Sequence, residues 1–209
     1  MDAERQQLGS QYRAVVDRAT TANHADRFEE ATTLLGPVIA YCDSLRTSGR
    51  HLVSVTNTSE YQSYMASQAS DTPVDWVDMA CPTAYKARAY LAIEAHDPNT
   101  SLKFLDQATT LAPLWADAWV ERGYTLNELH RSSEALADYQ HALELVERYP
   151  SNAPNKAIAL RGIGYTQVEL GNLDAGERAY RDSLVVEPDN ALAKRELEYI
   201  RRQREMAVP

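Results

Sequence analysis

Three times in this chain a tyrosine stands four residues ahead of a glutamate: Tyr90 and Glu94, Tyr124 and Glu128, Tyr165 and Glu169. On a helix that spacing brings both side chains to one face. A tyrosine ring offers rigid, half-polar contact area, and a carboxylate beside it selects a cation. The chemistry is therefore recognition, with a lysine, an arginine or a free amine as the fitting group. Lys86, Val120 and Arg161 each precede a tyrosine of the series by four residues, so the same face is not uniformly acidic. Asn127, next to Glu128, completes the candidate contact set. A second reading stays open, in which each tyrosine packs on the next helix, each glutamate is a solvated helix former, and the recurrence reflects duplication. Tyrosine outnumbers phenylalanine by 12 to 2, and a ring bearing a hydroxyl suits a half-wet groove better than a dry core.

Bond-making chemistry finds no support. The chain has no HExxH, phosphate loop, GxSxG or dinucleotide fingerprint. Its histidines, His24, His51, His96, His130 and His141, are scattered, and no carboxylate or thiol is spaced to share a metal with them. No enzyme activity, metal or cofactor is expected. Cys42 and Cys81 form no CxxC and read as small buried apolar residues; a disulfide between them requires an oxidising compartment. Residues 1–30 mix acids with polar neighbours and lack the apolar stretch of a secretory signal. No run approaches the roughly 18 apolar residues of a membrane helix. A net charge of −9 disfavours duplex nucleic acid as a partner. A cytoplasmic protein without membrane or nucleic-acid partners is the expectation.

The elements that must position the Tyr/Glu pairs come from a repeat. At 209 residues the chain makes one domain or two short ones, and its alanine, leucine, glutamate and arginine favour helices. A shift of 34 residues superimposes Ala89 on Gly123, and a shift of 41 superimposes Gly123 on Gly164. The same logic surrounds each. Trp119, Gly123 and Leu126 precede the turn at His130, after which come Ala135, Tyr139 and Ala142. Leu160, Ile163 and Gly164 precede Gly171-Asn172, followed by Gly176, Tyr180, Ser183 and Pro188. Tyr85, Ala89 and Ala92 precede Asp97-Pro98-Asn99, followed by Ser101, Leu105, Ala108 and Pro113. Small residues at these positions let paired helices approach, and bulky ones fill the gaps between neighbours.

This pattern resembles the tetratricopeptide repeat (TPR), which implies an all-α, right-handed solenoid of helical hairpins. The expected organisation is a degenerate helical pair at 1–46 and a Ser/Thr-rich flap or linker at 47–81. Three repeats follow over 82–188 (82–115, 116–156 and 157–190), and a capping helix over 189–206. In the N-terminal copy Val15, Ala19 and Ala22 lie on the first helix and Ala31, Leu35 and Val38 on the second, where Pro37 should kink or end it. Within 47–72, a short extended piece at 51–55 and a short helix at 59–69 carrying Tyr61, Tyr64 and Met65 are expected. Asp189-Asn190 should cap the last helix, whose bases interleave with Glu196, Glu198 and Glu205 as on a solvated face. Trp119 belongs in the core.

The resemblance places the Tyr/Glu pairs on the concave groove of the family and Tyr199 one rung further along. It also excludes one activity. TPR domains that clamp a peptide carboxylate carry Asn where Tyr90, Tyr124 and Tyr165 stand here, and a row of glutamates repels such a ligand. The expected function is protein–protein interaction, with a peptide, helix or loop bearing basic or aromatic groups in the groove. Two alternatives are a dedicated inhibitor, immunity protein or chaperone masking one partner, and a small-amine sensor.

Overall fold

The computed structural model describes residues 7–68 and 73–207. Internal contacts divide the chain into two compact units, Met1–Ala118 and Trp119–Pro209. In the first lie α1 (Arg13–His24), α2 (Phe28–Arg46), β1 (His51–Val53), α3 (Thr58–Ser67), β2 (Val74–Trp76), α4 (Ala80–Glu94) and α5 (Pro98–Leu111). The second holds α6 (Ala116–Glu128, whose first turn belongs to the first unit), α7 (Ser132–Arg148), α8 (Lys156–Glu169), α9 (Leu173–Val186) and α10 (Ala191–Ala207). The architecture is all-α, as the repeat predicts, with only two three-residue strands among the described residues.

Each hairpin turn is made the same way. Asp26, His96 and His130 all take φ 56, and Gly171 takes φ 79. The residue after each donates its N–H back to the helix it has just left, Arg27 to Ala22, Asp97 to Ala92, Arg131 to Leu126 and Asn172 to Gln167, at 2.8–2.9 Å. This six-to-one bond with a left-handed residue satisfies carbonyls that a helix end would leave orphaned. It assigns His96 and His130 a local backbone task, as their placement in the turns suggests. The turn between α1 and α2 is thus closed in the same way as those of the later hairpins.

Inside the second unit, glycines set the helix spacing. The Tyr139 ring packs so closely that a Cβ on Gly123 would lie 3.0 Å from it, and one on Gly162 only 2.3 Å. Gly164 stands in the same relation to Tyr180, at 2.9 Å. Tyr180, Ala193 and Ile200 form a buried cluster that seats α10 against α9. The cap of α10 is as expected, Asn190 Oδ1 accepting from the N–H of Ala193 at 3.0 Å. Trp119 departs from expectation. It is half-buried, edge-on to His141 at 4.6 Å with Arg122 over its ring, while the smaller Val120 beside it is buried.

Two further expectations change in the first unit, and the open choice between flap and linker meets an ordered segment. Helix α2 continues through Pro37 to Arg46. Proline removes one donor only, Gly36 before it adds no Cβ to the crowded turn, and fully buried Leu35 and Val38 anchor the helix on both sides. Cys42 and Cys81 are not free thiols but a disulfide joining α2 to α4, with Cα atoms 5.7 Å apart. Their compact burial is as read, but packing brings the two sulfurs together across a separation of 39 residues, which no local spacing reveals. The Ser/Thr-rich segment is ordered over 47–68. Strands β1 and β2 pair in parallel, and Val53, Val55 and Val74 form a small core with Tyr61, Tyr64, Met65, Trp76 and Leu114. Trp76 stacks on Tyr61 at 5.0 Å and donates its ring N–H to the Val55 carbonyl. The expected helix spans Thr58–Ser67, begun by Asn57 accepting from the Glu60 N–H; the expected end at Ala69 lies outside the described residues.

Among the described residues no helix is long and apolar enough to cross a membrane.

Candidate functional site

The nine candidate contact residues divide between the two units. Lys86, Tyr90 and Glu94 lie on α4 in the first; Tyr124, Asn127, Glu128, Arg161, Tyr165 and Glu169 lie on α6 and α8 in the second. In the first unit Tyr90 is 39% exposed and meets the Phe28 ring at 6.4 Å. Glu94 borders a separate open pocket with Phe28, Arg88 and Phe104. Lys86 is committed within the chain. Its ammonium bonds Asp117 at 2.5 Å and lies 5.4 Å from the Trp115 ring centre.

In the second unit five of the six residues converge. Tyr124, Asn127, Glu128, Arg161 and Tyr165 line one pocket of about 480 Å³, whose remaining walls include Val120, Glu121, Ile158, Gly162, Leu192 and Glu196, with Tyr139 and Tyr180 at its base. Helical periodicity explains the convergence. Tyr124 and Glu128 lie one turn apart on α6, and Ile158, Arg161 and Tyr165 recur at three- and four-residue steps on α8. Glu169, one turn past Tyr165, is exposed outside the pocket wall.

Exposure separates two kinds of tyrosine. Tyr124 and Tyr165 are 46% and 45% exposed, while Tyr139 and Tyr180, on the second helices of their hairpins, are 4% and 0% exposed. The first pair are open to solvent; the second pair are core. Burial pushes the hydroxyls of Tyr139 and Tyr180 well above the ordinary phenol range, with Glu121 and Glu196 respectively adding to the effect. Tyr165 is raised too, first by partial burial and then by three carboxylates around it, Glu169, Glu128 and Glu196.

Electrostatically the pocket is acidic. Its one cation among the described lining residues, Arg161, donates to Glu187 Oε2 at 2.5 Å and keeps only 16% of its side chain exposed. Glu128, Glu169 and Glu196 form no ion pair among the described residues. Asn127 Nδ2 donates to Thr166 Oγ1 at 2.9 Å, and Thr166 in turn donates to the Gly162 carbonyl; the buried Asn127 Oδ1 has no donor among the described residues. No group of three or more metal-ligating side chains gathers among the described residues. An aromatic, partly apolar cavity with uncompensated carboxylates can hold an organic cation.

Reading the sequence alone misses Ile158, Leu192 and Glu196. The signal was present, because the 34-residue step that carries Tyr165 to Tyr199 also carries Ile158 to Leu192 and Gly162 to Glu196. Helix α10 thus continues the register of a first repeat helix and is more than the solvated cap that its charges suggest. Tyr199 itself is 47% exposed but does not line the pocket.

Residues 116–184 match the tetratricopeptide repeat family. No curated protein matches the chain by sequence. Among solved structures, MamA is similar over 95% of this chain and 85% of its own, with 13% identity and a TM-score of 0.59. The Arabidopsis OM64 TPR domain is similar over 59% of this chain and 97% of its own, with 22% identity and a TM-score of 0.53. The first TPR of Spaghetti (RPAP3), solved bound to the HSP90 peptide SRMEEVD, covers 58% of this chain and 91% of its own at 18% identity, with a TM-score of 0.53. Identities this low speak for a shared fold.

Proposed function

With residues 116–184 of the chain being tetratricopeptide repeats, we propose that the protein is an interaction module that binds a basic segment of a partner protein on the Tyr/Glu face of its second unit. The carrying observation is the charge balance of that face. Glu128, Glu169 and Glu196 surround Tyr165 without a paired cation among the described residues, while Arg161 is neutralised by Glu187. A partner bearing arginine or lysine restores the balance, and the exposed rings of Tyr124 and Tyr165 supply the contact area. The acidic HSP90 peptide held by the RPAP3 repeat is of the opposite charge. Such a peptide would meet glutamates here, with Lys86 and Arg161 already engaged by Asp117 and Glu187. The disulfide supports action in an oxidising compartment over the expected cytoplasmic one.

An array of short peptides graded in net charge tests the reading, probed with the full chain and with Tyr124→Ala and Glu128→Lys variants. Wild type should retain basic peptides, less so as salt screens the carboxylates. Tyr124→Ala should weaken retention by about 2 kcal/mol, roughly thirtyfold in Kd. Glu128→Lys should shift preference towards acidic peptides. A wild-type preference for acidic peptides, or a folded Tyr124→Ala that binds unchanged, refutes it.

A further inference from the structure

Resting on the groove reading just given, we infer that the pocket between α6, α8 and α10 is a socket for one arginine side chain of the partner, and that α10, through Glu196 and Leu192, is part of its recognition apparatus. Its walls match that side chain from stem to head. Val120, Ile158 and Leu192 offer an apolar lining to three methylenes, and the rings of Tyr124 and Tyr165 face the same space. Ile158 and Leu192 are 41% and 45% exposed, apolar surface that a stem would cover. Glu128 and Glu196 supply acceptors for the head from different helices, so a planar group with donors on several edges can reach both.

Arginine is favoured over lysine by the aromatic content, because guanidinium sheds water more easily and lies against ring faces. A cavity of about 480 Å³ admits one such side chain. The base of the site is already satisfied by stacking within the repeat, since Tyr139 and Tyr180 are core residues packed against Gly162 and Gly164. The specificity therefore lies at the rim, where α10 contributes the carboxylate that α8 lacks: the position of Glu196 is Gly162 on α8 and Glu121 on α6.

The test is a set of amide-resolved NMR titrations of the full chain with N-acetyl-arginine methylamide, its lysine and citrulline counterparts, and spermidine. Arginine should shift resonances around Tyr124, Glu128, Ile158, Leu192 and Glu196, with citrulline about tenfold weaker because it keeps the shape and loses the charge. Glu196→Gln should weaken arginine binding severalfold, whereas Glu205→Gln, on the same helix but outside the pocket, should not. Leu192→Ser provides a second, uncharged probe of the α10 wall and should weaken arginine and citrulline alike. Equal binding of citrulline, or shifts confined to other surfaces, overturns the socket. Tighter binding of spermidine than of arginine overturns it in favour of a free-amine site. Basic peptides retained on the array by a Glu196→Gln variant as well as by wild type would leave the groove reading standing and the socket refuted. Peptides that fail on the array while N-acetyl-arginine methylamide fills the pocket would sink the groove reading instead.

Discussion

Reduction of the Cys42–Cys81 disulfide should destabilise the first unit selectively, because both cysteines lie within Met1–Ala118 and the second unit contains none. The bond ties α2 to α4 across a separation of 39 residues, a loop that includes β1, α3 and β2. Closing a loop of that length removes about 4 kcal/mol of conformational entropy from the unfolded chain. Other contacts hold α4 in place: from α1, Asn23 Nδ2 donates to the Ala87 carbonyl at 3.2 Å, and Tyr85 donates to Asp43 of α2 at 2.8 Å. The first unit should therefore still fold when reduced, but melt roughly 15 °C lower. Calorimetry with and without a phosphine reductant measures the shift, with complete reduction verified by a thiol titration of the denatured protein. A Cys42→Ala, Cys81→Ala double variant sets the baseline, since the reductant must not move it. Hydrogen exchange should quicken in α1 and α2 and leave α8 and α9 unaltered. A melting curve that does not respond to full reduction refutes the entropic argument, and two free thiols in protein isolated without reductant refute the bond itself.

Two further outcomes follow from packing and from titration. Gly162→Ala should cost about 3 kcal/mol, because its Cβ would stand 2.3 Å from a Tyr139 ring that is 4% exposed and also abuts Gly123. Chemical denaturation of the variant beside wild type measures the loss. Burial first of all raises the hydroxyls of Tyr85, Tyr139 and Tyr180 above the ordinary phenol value. A proton held more tightly in the folded state contributes stability that is complete below the unfolded value of about 10, and is lost as pH rises beyond it. The melting temperature should accordingly fall above that pH while absorbance of tyrosinate lags behind that of the unfolded chain; parallel ionisation in folded and unfolded protein contradicts the burial argument.

Much of this protein is legible residue by residue because its instructions are local and repeated. Helical spacing placed Tyr124 with Glu128 and Tyr165 with Glu169 on single faces, and the 34- and 41-residue steps located Gly123 and Gly164 at the close helix contacts that the structure contains. His96 and His130 were recognisable as turn residues from equivalent placement alone, and their positive φ supplies the reason. Such features depend on neighbours within one hairpin, so a short window of sequence carries them. Trp119 shows the limit even there: the pattern assigns it to the core, but its position along α6 leaves it half-buried against His141.

What tertiary structure alone decided are the relations between residues that no local period connects. Cys42 meets Cys81 because α2 packs on α4, and Lys86 and Arg161 lose their apparent availability because Asp117 and Glu187 lie within reach. Charge counting along a sequence treats each ion as solvated, whereas pairing depends on through-space distances of a few ångströms. Helix α10 likewise reads as a polar cap from its composition. Only its packing on Tyr180, through Ala193 and Ile200, turns Leu192 and Glu196 towards the pocket beside Tyr124 and Tyr165. Sequence periodicity thus determines which residues share a helix face, and the docking of one helix on the next determines which faces share a site.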